Sequence, residues 1–395
     1  MRKKRTSLLL ATLLLFSIFI SGCGMNEIGY LSYLEEVQKV AMTKPTQTVS
    51  TVSFSNINLP EEFISTEEEK VVQAVTTFLD SHYITMTSKV HPTKNIASVS
   101  VDIKEKVKNT NENILTINYK DDAMAILMGE KLKELLKVAP EDIQLTLNQL
   151  DQKSLPLAEL DPSANMQNLL LNPFSNRKAL VDMNDKAMAF LKDFAKIYVT
   201  ADTELIKKEG NAYVFQMDTP ELVQFIDVFV TKSIENKDAL LQATIRFYDS
   251  LTDEEFNMLY GGIFPFGKAE IIASLNEAIE TPIPEGTLET WNATYASEIA
   301  PMISSAMDGT SLRMKSWKEN NNYYTNTYVV LNITNPMNPA SKFTGTILSR
   351  EETQVISDSF DIVMPTEVVP ESVMKGLFPT IPSIDSSIEN IELEP

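Results

Sequence analysis

Few side chains in this 395-residue chain are equipped for chemistry. It holds one cysteine, Cys23, and two histidines, His82 and His91, against 54 acidic residues. The histidines lack the i, i+4 spacing with which one helix offers two imidazoles to zinc, and no further cysteine can complete a ligand set. They read as surface or turn residues. A Ser-His-Asp relay would have to recruit one of them, and the chain has no Gly-x-Ser-x-Gly turn. Carboxylates could in principle supply the acid–base pair of a glycoside hydrolase. The dense groups, Glu67-Glu68-Glu69, Asp121-Asp122 and Asp253-Glu254-Glu255, fall at expected helix starts, where acids suit the helix dipole. No Asp-x-Asp-x-Asp-Gly calcium loop occurs.

Gly262–Lys268 has the Gly-x4-Gly-Lys spacing of a phosphate loop. Ala269 stands where a magnesium-binding hydroxyl belongs, and Ile263, Phe264, Pro265 and Phe266 fill the loop, so it reads as an apolar turn between helices. Trp317, flanked by Lys315 and Lys318 and followed by Tyr323, Tyr324 and Tyr328, is the densest aromatic patch. Cross-strand packing on a hairpin is the expected use of such residues; the alternative is the rim of a sugar- or peptide-binding face. These residues nominate no catalytic group, no metal ligand and no cofactor.

The beginning of the chain is more specific. Arg2, Lys3, Lys4 and Arg5 precede an apolar run, Ser7–Ile20, that is shorter than the ~20 residues a membrane-spanning helix needs. A basic head, a short apolar run and small residues make a secretory signal. The run ends in Ile20-Ser21-Gly22-Cys23, which resembles the lipobox of bacterial lipoproteins. The resemblance implies cleavage between Gly22 and Cys23, lipid on the Cys23 thiol, and a body held by that anchor on the extracytoplasmic side of the cell membrane. Using the only cysteine this way leaves no thiol for a disulfide, so the core alone must hold the fold.

Losing four basic residues and no acid with residues 1–22 takes the net charge from −20 to −24. Such a body is repelled by nucleic acid and by anionic lipid headgroups. Its expected partners are the membrane through the anchor, and an apolar small molecule or an envelope protein. A hydrophobic content of 43% suffices for one large core or two medium ones. Seventeen methionines can fill uneven cores or line adaptable pockets.

The pattern divides the chain into 1–22 (signal), 23–45 (anchor and tether helix), 46–197 and 198–364 (two α+β units) and 365–395 (an acidic, Pro-containing tail). Alternation predicts strands at Thr46–Asn58, Tyr83–Val90, Ala97–Lys106 and Asn113–Lys120. A helix is expected from Asp121 or Asp122 to about Lys137, and another over Arg177–Tyr198. A second hairpin follows, Tyr198–Ile206 with Asn211–Met217, leading into a helix over Leu222–Ile234. The two strand–Asp–helix passages lie 98 residues apart and suggest a duplicated hairpin-plus-helix unit. Helices fill Ala239–Ala306, with capping boxes at Ser65–Glu68 and Thr252–Glu255. Strands return at Ser311–Lys318, Tyr323–Ile333, Lys342–Ser349 and Thr353–Val363.

Strands at both ends with helices between predict an α+β fold, a large curved antiparallel sheet packed against helices. In this order, and in phrases such as Tyr213-Val-Phe-Gln-Met-Asp218, Thr46–Val363 resembles the LolA-like group of lipoprotein carriers, which cup apolar ligands between a curved sheet and helices. The resemblance transfers no ligand-binding residue. It implies a non-enzymatic binding protein. An accessory envelope protein working by protein contact, and a carboxylate-dependent envelope hydrolase, are the other classes the sequence admits.

Overall fold

Alternating β-branched and polar residues give eleven strands: β1 (Thr46–Asn58), β2 (His82–His91), β3 (Ile96–Glu105), β4 (Asn111–Lys120), β5 (Ala123–Met128), β6 (Lys153–Pro156), β7 (Ile206–Glu209), β8 (Ala212–Asp218), β9 (Ser311–Glu319), β10 (Asn322–Asn335) and β11 (Asn338–Val355). The computed structural model describes residues 25–60, 69–108, 110–137, 141–156, 177–198, 205–260, 266–336, 338–370 and 373. All eleven strands join one antiparallel, open and curved sheet in the order β6-β5-β4-β3-β2-β1-β11-β10-β9-β8-β7. The chain starts at the centre of the sheet and builds outward to β6. It then re-enters at the opposite edge and returns to pair β11 with β1, in register from Thr46↔Val355 to Ser55↔Thr346. Strands of both predicted α+β units therefore share one sheet.

Two tight hairpins carry the expected turn chemistry. Asn320 and Asn321, between β9 and β10, have φ of 51° and 66°, and Asp121 and Asp122, between β4 and β5, have 52° and 57°. Paired left-handed residues match the strand twist, and Asn and Asp tolerate that conformation. The second turn corrects the sequence reading. The predicted helix from Asp121 is strand β5 followed by the short helix Glu130–Leu136. The aspartates turn the chain instead of capping a helix. Asp218, the supposed counterpart, does cap one: its carboxylate accepts from Glu221 N at 3.0 Å, and Glu221 accepts from Asp218 N at 2.9 Å. The proposed 98-residue repeat breaks at this point.

Two further boundaries move. Of the predicted strand Tyr198–Ile206, Tyr198 ends the preceding helix and Ile206 opens β7, while residues 199–204 lie outside the described residues. The strands predicted at Lys342–Ser349 and from Thr353 are one strand, β11, running unbroken through Arg350-Glu351-Glu352. The capping box at Ser65–Glu68 and most of the tail lie outside the described residues.

Among the described residues the helices are α1 (Met25–Thr43), α2 (Glu69–Ser81), α3 (Glu130–Leu136), α4 (Glu141–Leu150), α5 (Arg177–Tyr198), α6 (Thr219–Glu235), α7 (Lys237–Ser250), α8 (Asp253–Tyr260), α9 (Lys268–Glu280), α10 (Thr287–Thr294) and α11 (Ala300–Ala306), the last two joined by a π-helical turn. The largest apolar cluster is helical: Met183, Phe247, Leu251, Phe256, Ile271 and Leu275 from α5 to α9. Smaller clusters sit under the β5–β6 edge (Met124, Leu150, Leu155, Val369) and where α5 meets α1 and α6.

After β11 the chain runs as a strap along the ends of β1 to β6. Ile356 N bonds Pro45 O at 2.9 Å, Lys120 Nζ meets Asp361 at 2.7 Å, and Ser154 brackets the last turn by bonding Glu367 O and receiving Val369 N. The first part of the predicted free tail is thus packed, with Val369 only 2% exposed.

Candidate binding face

Ladder partners share a face of a sheet, so the register assigns each side chain to a side. The outer face is polar along its centre, with Thr51, Thr85, Asp102, Asn326 and Arg350 on neighbouring strands. The inner face carries the apolar alternates: Val52, Phe54, Ile84, Met86, Val99, Val101, Leu115, Ile117 and Ile347. An antiparallel sheet of this size ordinarily buries such a face. Here Val52, Ile84, Val99, Val101 and Ile347 are only half-buried, no better covered than the threonines behind them, and Met86 is 45% exposed. Among the described residues no hydrophobic core cluster contains a residue of β1, β2, β3, β10 or β11.

Helix α1 covers the other end of this face, over β8 to β10. Tyr33 stacks on Tyr30 and packs against Tyr213 and Tyr323, with ring centroids about 6 Å apart. Its hydroxyl lies 3.2 Å from Trp317 O and 3.3 Å from Tyr324 O. Burial, with Tyr30 beside it, pushes the Tyr33 phenol far above its ordinary value, so it stays a donor. Glu36 reinforces the dock: its carboxylate accepts from Lys318 Nζ at 2.7 Å and from Tyr323 at 3.0 Å, and the Lys318 bond holds it below the usual carboxylate range.

Between the docked helix and the apolar residues of β1 to β4 lies a band of hydroxyls. Ser316 and Thr325 bond each other at 3.0 Å, and Thr48 and Thr353 at 2.9 Å. Glu351 stands among them on β11, flanked by Thr325 and Ser50 on the adjacent strands. Its side chain is exposed to solvent, and desolvation raises its carboxyl above the ordinary value. Its charge adds to burial in raising the Tyr30 phenol above its ordinary value. Lys318, the nearest inward cation in the ladder, is already bound to Glu36.

No family model, curated protein or solved structure matches this chain significantly. The site has to be read from its own geometry.

The residues singled out from sequence are scattered. Gly22 and Cys23, the proposed cleavage and lipid-attachment positions, lie outside the described residues, as does most of the Gly262–Lys268 turn. Lys268 is spent on Leu251 O at 2.5 Å, holding two helices together. His82 stacks on Phe78 at 4.2 Å, while His91 is fully buried and meets Asp358 at 3.1 Å, a latch on the strap. Among the described residues no three His, Cys, Asp or Glu side chains converge as a metal site. Trp317 and Tyr324 form the expected cross-strand pair, stacked at 5.1 Å on the outer face. They border a shallow depression of about 310 Å³ with Val49, Thr51, Asn326, Arg350, Glu351 and Glu352.

Sequence reasoning missed Glu351 because three consecutive charged residues looked like a break between strands. The signal was the alternation Ile347, Ser349, Glu351, Thr353, which keeps one face through that run.

Proposed function

We propose that this chain is an exported, lipid-anchored, non-enzymatic envelope protein that holds an apolar ligand on the inner face of its sheet. The anchor rests on the residues Arg2–Cys23, whose order is that of a lipoprotein signal. The binding reading rests on one observation: at the centre of the inner face Val52, Ile84, Val99 and Val101 are only half-buried and Met86 is 45% exposed. A group of half-exposed apolar side chains on one sheet face, if contiguous, is a candidate binding surface.

The test uses residues 24–395, which keep every described element; none of the described core clusters involves a residue before Leu31. Native and denatured masses are compared, with an organic extract analysed in parallel. A stoichiometric apolar compound released on denaturation is the expected result. An apo mass that stays unchanged after incubation with membrane lipids overturns the reading. Separately, labelled fatty acid should enter the full chain in the producing bacterium and be lost in Cys23→Ala.

A further inference from the structure

The register lays one continuous row across the inner face. It runs Thr325, Glu351, Ser50, Met86, Val101, Leu115, from β10 through β11, β1, β2 and β3 to β4. The row is polar over its first three strands and apolar over the next three. With strands about 4.8 Å apart, the step from Glu351 to Leu115 covers about 19 Å. One leaflet of bilayer hydrocarbon is roughly 15 Å thick. From these placements, and resting on the carrier reading above, we infer that the ligand is an amphiphile lying across the strands, with a protonated amine head at Glu351 and its chain over Met86, Val101 and Leu115.

The sign of the head follows from the charges present. Glu351 makes no ion pair among the described residues, whereas other acids near the docked helix, such as Glu35 and Glu36, are held by Lys192 and Lys318. An anionic head would meet an uncompensated carboxylate. An ammonium gains a charge-assisted bond there and relieves the carboxyl of its desolvation cost. The Ser50 and Thr325 side chains on either side add acceptor oxygens for the remaining ammonium protons. The alternating half-exposed apolar residues then receive the chain without any further polar demand.

The experiment compares dodecylamine, dodecanol and dodecanoate as displacers of a neutral apolar naphthylamine dye from residues 24–395 at pH 7. The amine should displace at least tenfold more effectively than the carboxylate, equivalent to about 1.4 kcal/mol. In Glu351→Gln the amine and the carboxylate should come within about threefold of each other. A far-ultraviolet circular dichroism spectrum matching the parent's is the check that the variant is folded. A dye that fails to bind the parent protein overturns the carrier reading itself. A dye that binds, with the carboxylate equal or superior, or with a preference untouched by Glu351→Gln, overturns this inference alone.

Discussion

Tyr33 fastens the first helix to the sheet, and two substitutions separate its ring from its hydroxyl. Tyr33→Phe removes only the donor shared by Trp317 O and Tyr324 O, both carbonyls of a strand pair. A hydrogen bond of this kind contributes about 1 kcal/mol net. Tyr33→Ala removes in addition a ring that is 8% exposed and touches three other tyrosines. Emptying a packed aromatic site costs about 3–5 kcal/mol. If α1 opens as a local unit, these become changes in amide exchange. The backbone amides of Leu34–Val40 should exchange roughly fivefold faster in Tyr33→Phe, and about two to three and a half orders of magnitude faster in Tyr33→Ala. Amides of the α5–α9 core should not change in either. Hydrogen–deuterium exchange with mass readout resolves both regions. An increase below tenfold in Tyr33→Ala would refute the assignment of the dock to this ring, and an equal effect from Tyr33→Phe would refute the ordering of packing over hydrogen bonding.

Three other perturbations follow from single contacts. A Cβ at Gly129 would sit 1.8 Å from the Asn113 carbonyl oxygen, so Gly129→Ala must displace backbone between β4 and α3. It should lower the urea midpoint by the equivalent of 2 kcal/mol or more, at the upper end of overpacking costs of about 1–3 kcal/mol, and an unchanged midpoint would contradict the close approach. Glu255 closes a capping box with Thr252 and is gripped by Lys186 at 2.6 and 2.8 Å. Burial opposes its charge, but the Lys186 and Thr252 bonds outweigh it and hold the carboxyl below its ordinary value of 4.5. A folded value lower than the unfolded one adds stability that is complete above the unfolded value and is lost as pH falls through the folded one. Glu255→Gln should therefore lose less stability than the parent between neutral pH and pH 3, measured by urea titration at both. His91→Ala should free the strap: limited proteolysis is expected to cut between residues 356 and 365 in the variant while sparing the parent, because it removes the buried ring that holds Asp358.

The sheet was legible because its strands alternate, and alternation survives without knowledge of partners. Thr46–Asn58 was placed to the residue, and β2 to β4 within a few positions at each end. Failures came where local chemistry has two uses. Asp121-Asp122 can cap a helix or form a left-handed turn, and the six residues Ala123–Met128 are too short for periodicity to arbitrate between helix and strand. Arg350-Glu351-Glu352 reads as a break when the partners are unseen, yet β1 and β10 complete the ladder on both sides. The candidate site was illegible for the same reason: its row is assembled from residues on six strands, spaced across about 300 positions, with no local motif. Only the pairing of β11 with β1 brings the polar half of the row beside the apolar half.

Net charge and local charge point the same way but act differently, and salt separates them. An acidic body concentrates a cationic amphiphile near itself over distances comparable to the Debye length, about 10 Å at 0.1 M salt and 3 Å at 1 M. That contribution is a rate effect and fades as salt rises. A direct contact between an ammonium and Glu351 is shorter than either length and is screened less. Raising salt from 0.05 to 1 M should therefore slow dodecylamine association severalfold, while dissociation changes little and a preference over dodecanol persists. If the preference over dodecanol disappears at 1 M, the amine was gathered by the acidic surface as a whole, and Glu351 has no special part in choosing it.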